Sequence, residues 1–430
     1  MKQVTSVEQG VRATLVDVAA RNAALHIFTA VDESGALAAA RSSDARLAAG
    51  KPLSAIDGVT VSVKDNIDVA GLPTTAGLGF RRAAIAARDA FVVARLRTAG
   101  AVILGKVNMH AAAFGATNHN ADFGDCDNPA HPGCVPGGSS GGSAASVAVG
   151  WAQLSLGTDT MGSVRLPASY CGTAGFKPTF GVISTAGVVP LCARLDHVGL
   201  LAASIPAIEA GFAVAAGFDS THPWARSVTI APPVDRRLRL RAVLPGGPTE
   251  IASSIWRRFE VSLAAIRALG HTISRFESPA QDPGAMRRAG LLLSEAEMLV
   301  TYAREWRSAQ EEFPSDMRAA MRWAEGKSAS DAARAEATMA EGVTLLRAMR
   351  AGADCLLMPT TPQSAFSRSA PAPANQADLC CLANFEGAPA ASLPMRCGAD
   401  ERAAGLQVIG APGADLTVLA LCREIESAIA

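Results

Sequence analysis

The sequence predicts an α/β fold, a mostly parallel sheet with helices on its faces, from three observations. β-branched and small residues alternate through Gly58-Val59-Thr60-Val61-Ser62-Val63-Lys64, the pattern of a strand ending at Lys64. Residues 89–99 have a helical pattern closed by Gly100, and the apolar run Ala101-Val102-Ile103-Leu104-Gly105 follows as a buried strand. Strand, helix and strand in that order form the unit from which parallel sheets are built. The third observation is composition: 49% of residues are apolar and only 5% aromatic, so a core of small, closely packed side chains is expected.

In chain order, residues 6–21 place apolar groups at helical spacing, and a second helix is expected over 34–49. His26-Ile27-Phe28-Thr29-Ala30 lies between them as a short extended segment. A helix beginning near Ser143 ends over 147–151, and 154–159 again reads as a strand. After a basic, Pro-containing link come a strand at 238–244 and a helix over 250–269, with Ile251, Ile255, Phe259 and Leu263 on one face. Residues 284–350 are helix-rich and more charged, as a cap over the sheet would be. The tail offers strands at 354–358, 390–393 and 406–409, a loop over 359–374, and a last helix from Asp415.

Charge excludes some functions. The 39 basic and 39 acidic residues cancel, which leaves no electrostatic footprint for nucleic acid or an anionic membrane. The nine cysteines are scattered with no C-x-x-C pair, so neither a disulfide framework nor a zinc knuckle is suggested, and a reducing cytoplasm fits; no metal or cofactor is expected. The N-terminus lacks the apolar core of a signal peptide. The most span-like stretch, 199–218, contains Pro206 and Glu209 and reads better as a buried helix.

Chemistry concentrates between Cys134 and Thr179, in two serine-bearing loops: Pro136-Gly137-Gly138-Ser139-Ser140-Gly141-Gly142-Ser143 and Gly157-Thr158-Asp159-Thr160-Met161-Gly162-Ser163-Val164-Arg165. A phosphate cradle would need a Lys after Gly142, and a dinucleotide site would need a strand before Gly137. The segment Gly138 to Gly142 matches the G-x-S-x-G nucleophile elbow with Ser140 central, but Asp196 and His197 are adjacent in sequence and make a poor relay. A plain flexible linker is contradicted by apolar flanks. Another reading joins the serines to Lys64, which ends an apolar strand. Burial there would lower its pKa toward the neutral form that accepts a serine proton, although most lysines at strand ends simply reach solvent.

The stretch 58–66, then Pro73-Thr74-Thr75-Ala76-Gly77, then 136–143 and 157–178 together resemble the amidase signature family. The resemblance covers most of residues 5–200 and thins to Met358-Pro359-Thr360-Thr361-Pro362, 387–390 and 405–410. It is similar to the small-amide branches, malonamidase-like or biuret-hydrolase-like, and is related to the A subunit of glutamyl-tRNA amidotransferase. The family implies a single amidase domain over 1–430, with its signature core at about 55–200 and its variable helical cap at about 284–350. The implied fold is α/β, with a large mixed, twisted central sheet flanked by helices on both faces.

Position by position, the resemblance implies a Ser–cis-Ser–Lys triad that hydrolyses a small carboxamide through an acyl-enzyme. Lys64 becomes the base, Ser139 the bridging residue after a cis peptide bond, and Ser163 the nucleophile, in place of Ser140. Backbone N–H groups of Thr160, Met161, Gly162 and Ser163 become the oxyanion hole. Asp159, Arg165 and Lys177 fall on family positions and are expected to hold the loops. Two departures bear on substrate: Met161 stands where glycine is usual and is expected to narrow the pocket. Arg194 stands where a small residue is usual, as a carboxylate-binding group or a surface ion pair. The expected partner is a small-molecule amide, with no nucleic acid and no membrane, and a homodimer is one assembly allowed. The rival functions are a glutamine-hydrolysing amidotransferase subunit and a non-catalytic binding protein on the same fold.

Overall fold

The computed structural model describes residues 6–234, 236–244, 250–277, 282–396, 398 and 401–429. The chain begins with α1 (Val7–Leu25), whose N-cap Ser6 accepts the amide of Gln9. It turns at His26, a left-handed residue rather than part of the extended segment, into β1 (Phe28–Val31) and α2 (Glu33–Ala48). The expected unit follows as β2 (Thr60–Lys64), α3 (Phe91–Thr98) and β3 (Val102–Val107). Then come α4 (Gly141–Ala148), β4 (Leu154–Asp159), α5 (Arg165–Cys171) and β5 (Ala174–Lys177). The stretch 199–218 resolves into two elements, the end of β6 (His197–Ala202) and α6 (Ile205–Ala215), not one helix.

The second half runs β7 (Arg239–Leu244), α7 (Ser253–Ala268) and β8 (Thr272–Glu277). The cap is α8 (Pro283–Thr301), α9 (Ala303–Ser308), α10 (Ser315–Glu325) and α11 (Ala329–Arg350). A capping box between Ser328 and Asp331 opens α11, satisfying amide groups that a helix start leaves without partners. The chain closes with β9 (Cys355–Pro359), α12 (Cys381–Glu386), β10 (Ala390–Pro394), β11 (Gly405–Ile409) and α13 (Asp415–Ile429).

Among the described residues these strands form one eleven-stranded sheet, ordered β1-β3-β2-β4-β6-β5-β10-β11-β9-β7-β8. It is mixed, as the family resemblance implies, and not mostly parallel, as the strand-helix-strand order alone suggests. Neighbours run parallel around β2 and around β7, where helical crossovers connect strands. The strands between them, from β6 through β11, pair antiparallel. Helices α3, α6, α7 and α13 contribute to a core of aliphatic side chains such as Val61, Leu156, Phe176, Leu263 and Ile425. The cap helices α8 and α11 instead meet the sheet through a methionine-rich cluster that includes Met286, Met339, Met349 and Met358. At about 25 cal/mol per Å² of apolar surface, each fully buried side chain of this size contributes about 1.5–3 kcal/mol before entropy is counted.

Candidate active site

Side chains two apart on a strand share a face, so Ser62 and Lys64 of β2 point the same way. Both meet α4 and the loop before it. Ser62 Oγ lies 2.7 Å from Ser146 Oγ in α4, and Lys64 Nζ lies 2.7 Å from Ser139 Oγ. Lys64 Nζ also donates to Thr158 Oγ1 at 2.7 Å, and Asn66 Nδ2 donates to the same oxygen at 3.2 Å. The lysine side chain is fully buried. Burial favours its neutral form and lowers its pKa to about 7, against the opposing fields of Asp196 and Asp159.

The serine-rich loop divides into structural and unassigned hydroxyls. Ser140 Oγ donates to the Thr158 carbonyl at 3.0 Å and accepts the Thr158 amide at 3.3 Å, so both its roles are taken by β4. Ser143 Oγ donates to the Leu156 carbonyl in the same way. The elbow reading centred on Ser140 therefore has no free hydroxyl. The Gly138–Ser139 peptide bond is cis, and a Cβ on Gly138 would come within 2.7 Å of the Gly115 carbonyl oxygen. The second loop is tied to the first by the Ser140 amide, which donates to the Ser163 carbonyl at 3.2 Å. Ser163 is half-buried, and among the described residues its hydroxyl has no hydrogen bond, so its link to Ser139 is not closed here.

Asp159 and Arg165 shape the second loop, as expected. Every N–H of the Arg165 guanidinium has an acceptor: both oxygens of Asp159, the carbonyl of Cys380, Gln407 Oε1 and Asn384 Oδ1. Burial pushes the Asp159 carboxyl up, but Arg165, Lys177 and Asn384 outweigh it and hold the group below the usual carboxylate range. Lys177 is buried too, which lowers its pKa to about 7, and its ammonium donates to the carbonyls of Pro178 and Ala388. Asp196, raised to about 7 by burial, accepts Thr160 Oγ1 at 2.5 Å and the amides of Leu191 and Cys192.

One proposed oxyanion donor drops out. The Gly162 amide donates to Asp159 Oδ1 at 2.7 Å, leaving it engaged. Among the described residues no protein acceptor takes the amides of Thr160, Met161 or Ser163. Gly162 has another reason to be glycine. Its φ is +126°, and a Cβ there would fall 2.6 Å from that of Cys380. Met161 keeps φ below zero, so the side chain costs no backbone strain.

Ser163, Met161, Gly162 and Thr160 line a cavity of about 310 Å³ with Phe114, Leu166, Leu191, Arg287, Leu291, Gln376 and the segment 372–374. Met161 is buried and walls the cavity on the cap side, as expected. Arg194 does not line it. That side chain is 40% exposed and pairs with Glu336 of α11, the surface ion-pair alternative, because the loop 191–196 turns it outward toward the cap. Arg287 of α8 does line it. No sequence feature of the cap distinguished Arg287 from its neighbour Arg288, since only the packing of α8 decides which arginine faces inward.

The amidase family pattern matches residues 9–419. This chain belongs to the amidase signature family. An A subunit of glutamyl-tRNA(Gln) amidotransferase from Anaeromyxobacter sp. (strain K) is 49% identical over 195 residues, covering 45% of this chain and 40% of that protein. Indoleacetamide hydrolase from Pseudomonas syringae pv. syringae is 48% identical over 170 residues, 40% of this chain and 38% of that protein. The chain spans about 40% of the length of these two curated relatives. Among solved structures, a chain of a vestigial protein complex tied to the evolutionary origins of an s-triazine catabolic enzyme superposes with a TM-score of 0.89. It is 29% identical and covers 98% of this chain and 94% of the other chain. Among the described residues, no helix is long and apolar enough to cross a membrane.

Proposed function

We propose that this amidase hydrolyses a small carboxamide through an acyl-enzyme on Ser163. The observation that carries the reading is a buried Lys64 near neutrality, 2.7 Å from Ser139, on a loop bonded to the one holding Ser163. Neutral Lys64 takes the proton of Ser139 as Ser139 takes that of Ser163. Ser163 Oγ then bonds to the amide carbon while negative charge develops on the carbonyl oxygen. The free amides of Met161 and Ser163, with Thr160, receive that charge. One preorganised donor of this kind is worth about 3–4 kcal/mol of barrier. The relay returns its proton to the departing nitrogen, the C–N bond breaks, and water, activated by the same relay, releases the carboxylate and restores Ser163. No step calls on a metal or cofactor.

Substitution of Ser163 by alanine tests the reading. Loss of turnover on a panel of primary amides, with an unchanged melting temperature, is expected. Full activity in Ser163→Ala would contradict it. The amidotransferase relatives favour a second reading, in which this site hydrolyses glutamine for a partner subunit. Ammonia release from glutamine only when a second protein co-purifies would establish that reading. Turnover of simple amides by the chain alone supports the stand-alone hydrolase. The cysteines of the described residues are buried and unpaired, which suits a reducing cytoplasm, and a homodimer is compatible with the proposal.

A further inference from the structure

We infer that the substrate carries a carboxylate and that Arg287 holds it. The inference deepens the proposed amide hydrolysis and rests on it. It starts from the polar groups of the cavity wall. The Thr160 hydroxyl donates to Asp196. Gln376 is engaged at both ends, its amide nitrogen donating to the Pro373 carbonyl at 2.9 Å and its oxygen accepting the Tyr170 hydroxyl at 3.3 Å. The remaining wall is mostly apolar, including Phe114, Leu166, Leu191 and Leu291. After the hydroxyl of Ser163 and the second amide hydrogen of Gln376, the charged side chain with donors still free is Arg287.

Its geometry is that of an oriented receptor. Nε donates to Asp378 Oδ1 at 2.7 Å, and Asp378 is itself buried. Among the described residues neither terminal nitrogen of Arg287 has an acceptor, although the side chain is only 15% exposed. Asp378 thus fixes the guanidinium plane by one edge and leaves the paired terminal N–H groups open to the cavity. Those two parallel donors match the two oxygens of a carboxylate. The placement follows from α8, where residues three and four apart share a face. Arg287 and Leu291 reach the cavity, while Gly290 leaves room for Met161, whose Sδ would lie 2.7 Å from a Cβ at that position. The cap helix therefore delivers a fixed cation into the same apolar cavity as Ser163. The substrate class assigned is an amide whose acyl or amine part ends in a carboxylate.

The test follows labelling of Ser163 by a fluorophosphonate at constant ionic strength. Malonate, succinate, glutarate and benzoate are each compared as protectants with malonamide, succinamide, glutaramide and benzamide. At least one acid is expected to protect at a concentration about tenfold or more below that of its amide, the scale of a charge-assisted hydrogen bond. That preference should fall to near one in Arg287→Gln and persist only partly in Arg287→Lys, which keeps the charge but loses the planar fork. No acid outperforming its amide, or an acid preference unchanged in Arg287→Gln, would overturn the inference while leaving the hydrolase intact. Absence of labelling in the wild type would remove the hydrolase reading, and the inference with it. If the Gln variant does not fold, the wild-type comparison together with Arg287→Lys decides.

Discussion

The half of the molecule around β2, β4 and α4 and the half formed by the cap are built from different materials. In the first, hydroxyls of Ser140, Ser143 and Ser146 fasten α4 and its loops through buried hydrogen bonds, and Arg165 has every donor satisfied. In the second, Met161, Met286, Met339, Met349 and Met358 fill the interface between cap and sheet. Satisfied buried polar networks permit one arrangement and penalise every other. Unbranched methionines tolerate repacking. On the proposed mechanism the difference separates two tasks: a rigid region holds the groups that would move protons, and an adaptable one would shape what enters.

Breaking the rigid half should have the largest effects. Lys64→Met removes the proposed base, and kcat/KM should fall by roughly four orders of magnitude or more, as for other residues that act as one relay. Steady-state kinetics check this, with circular dichroism to confirm folding. Arg165→Gln leaves the Asp159 carboxylate buried with fewer donors. Loss of one partner from a buried pair costs about 3–5 kcal/mol, which urea unfolding would read directly. A loss under 1 kcal/mol would mean that the network is not what holds the second loop.

The cap should respond more mildly and in another quantity. Gly290→Ala places a methyl against Met161 Sδ, 2.7 Å away, and against the Phe385 ring at 3.1 Å. Overpacking of this kind costs about 1–3 kcal/mol, reduced here because the methionine end can yield. KM should rise severalfold with kcat little altered; a fall in kcat alone would show that the cap reaches the chemistry. Arg194→Ala is the smallest change, within about 1 kcal/mol in stability, because its pair with Glu336 is largely exposed.

The same division governs what could be read from sequence. β2, β4 and the ends of the sheet's C-terminal strands carry their patterns locally, and Lys64, Ser139 and Ser163 stand in extended motifs. β6 was hidden because a strand buried on both faces is continuously apolar, and it merges in sequence with α6. β5 is four residues long, and β8 is an edge strand with little burial to pattern it. Gly162 falls on an oxyanion-hole position through the family resemblance alone, and the Asp159 carboxylate that engages its amide turns back from three residues earlier. The sequence leaves Arg194 open between a carboxylate-binding group and a surface ion pair and does not single out Arg287, because the cap contact of one and the inward face of the other depend on how α8 and α11 pack.

The central claim is that Lys64, held near neutrality by burial, activates Ser163 through Ser139. Its pKa of about 7 fixes the sign of the pH dependence: the neutral base is present above that value and lost below it. The rate of fluorophosphonate labelling at Ser163, followed by mass spectrometry from pH 5 to 9, measures that base without knowledge of the substrate. The rate is expected to fall about tenfold per unit below pH 7 and to level above it, with the limb absent in Lys64→Met. A rate that is flat across this range, or an acid limb that survives in Lys64→Met, would contradict it.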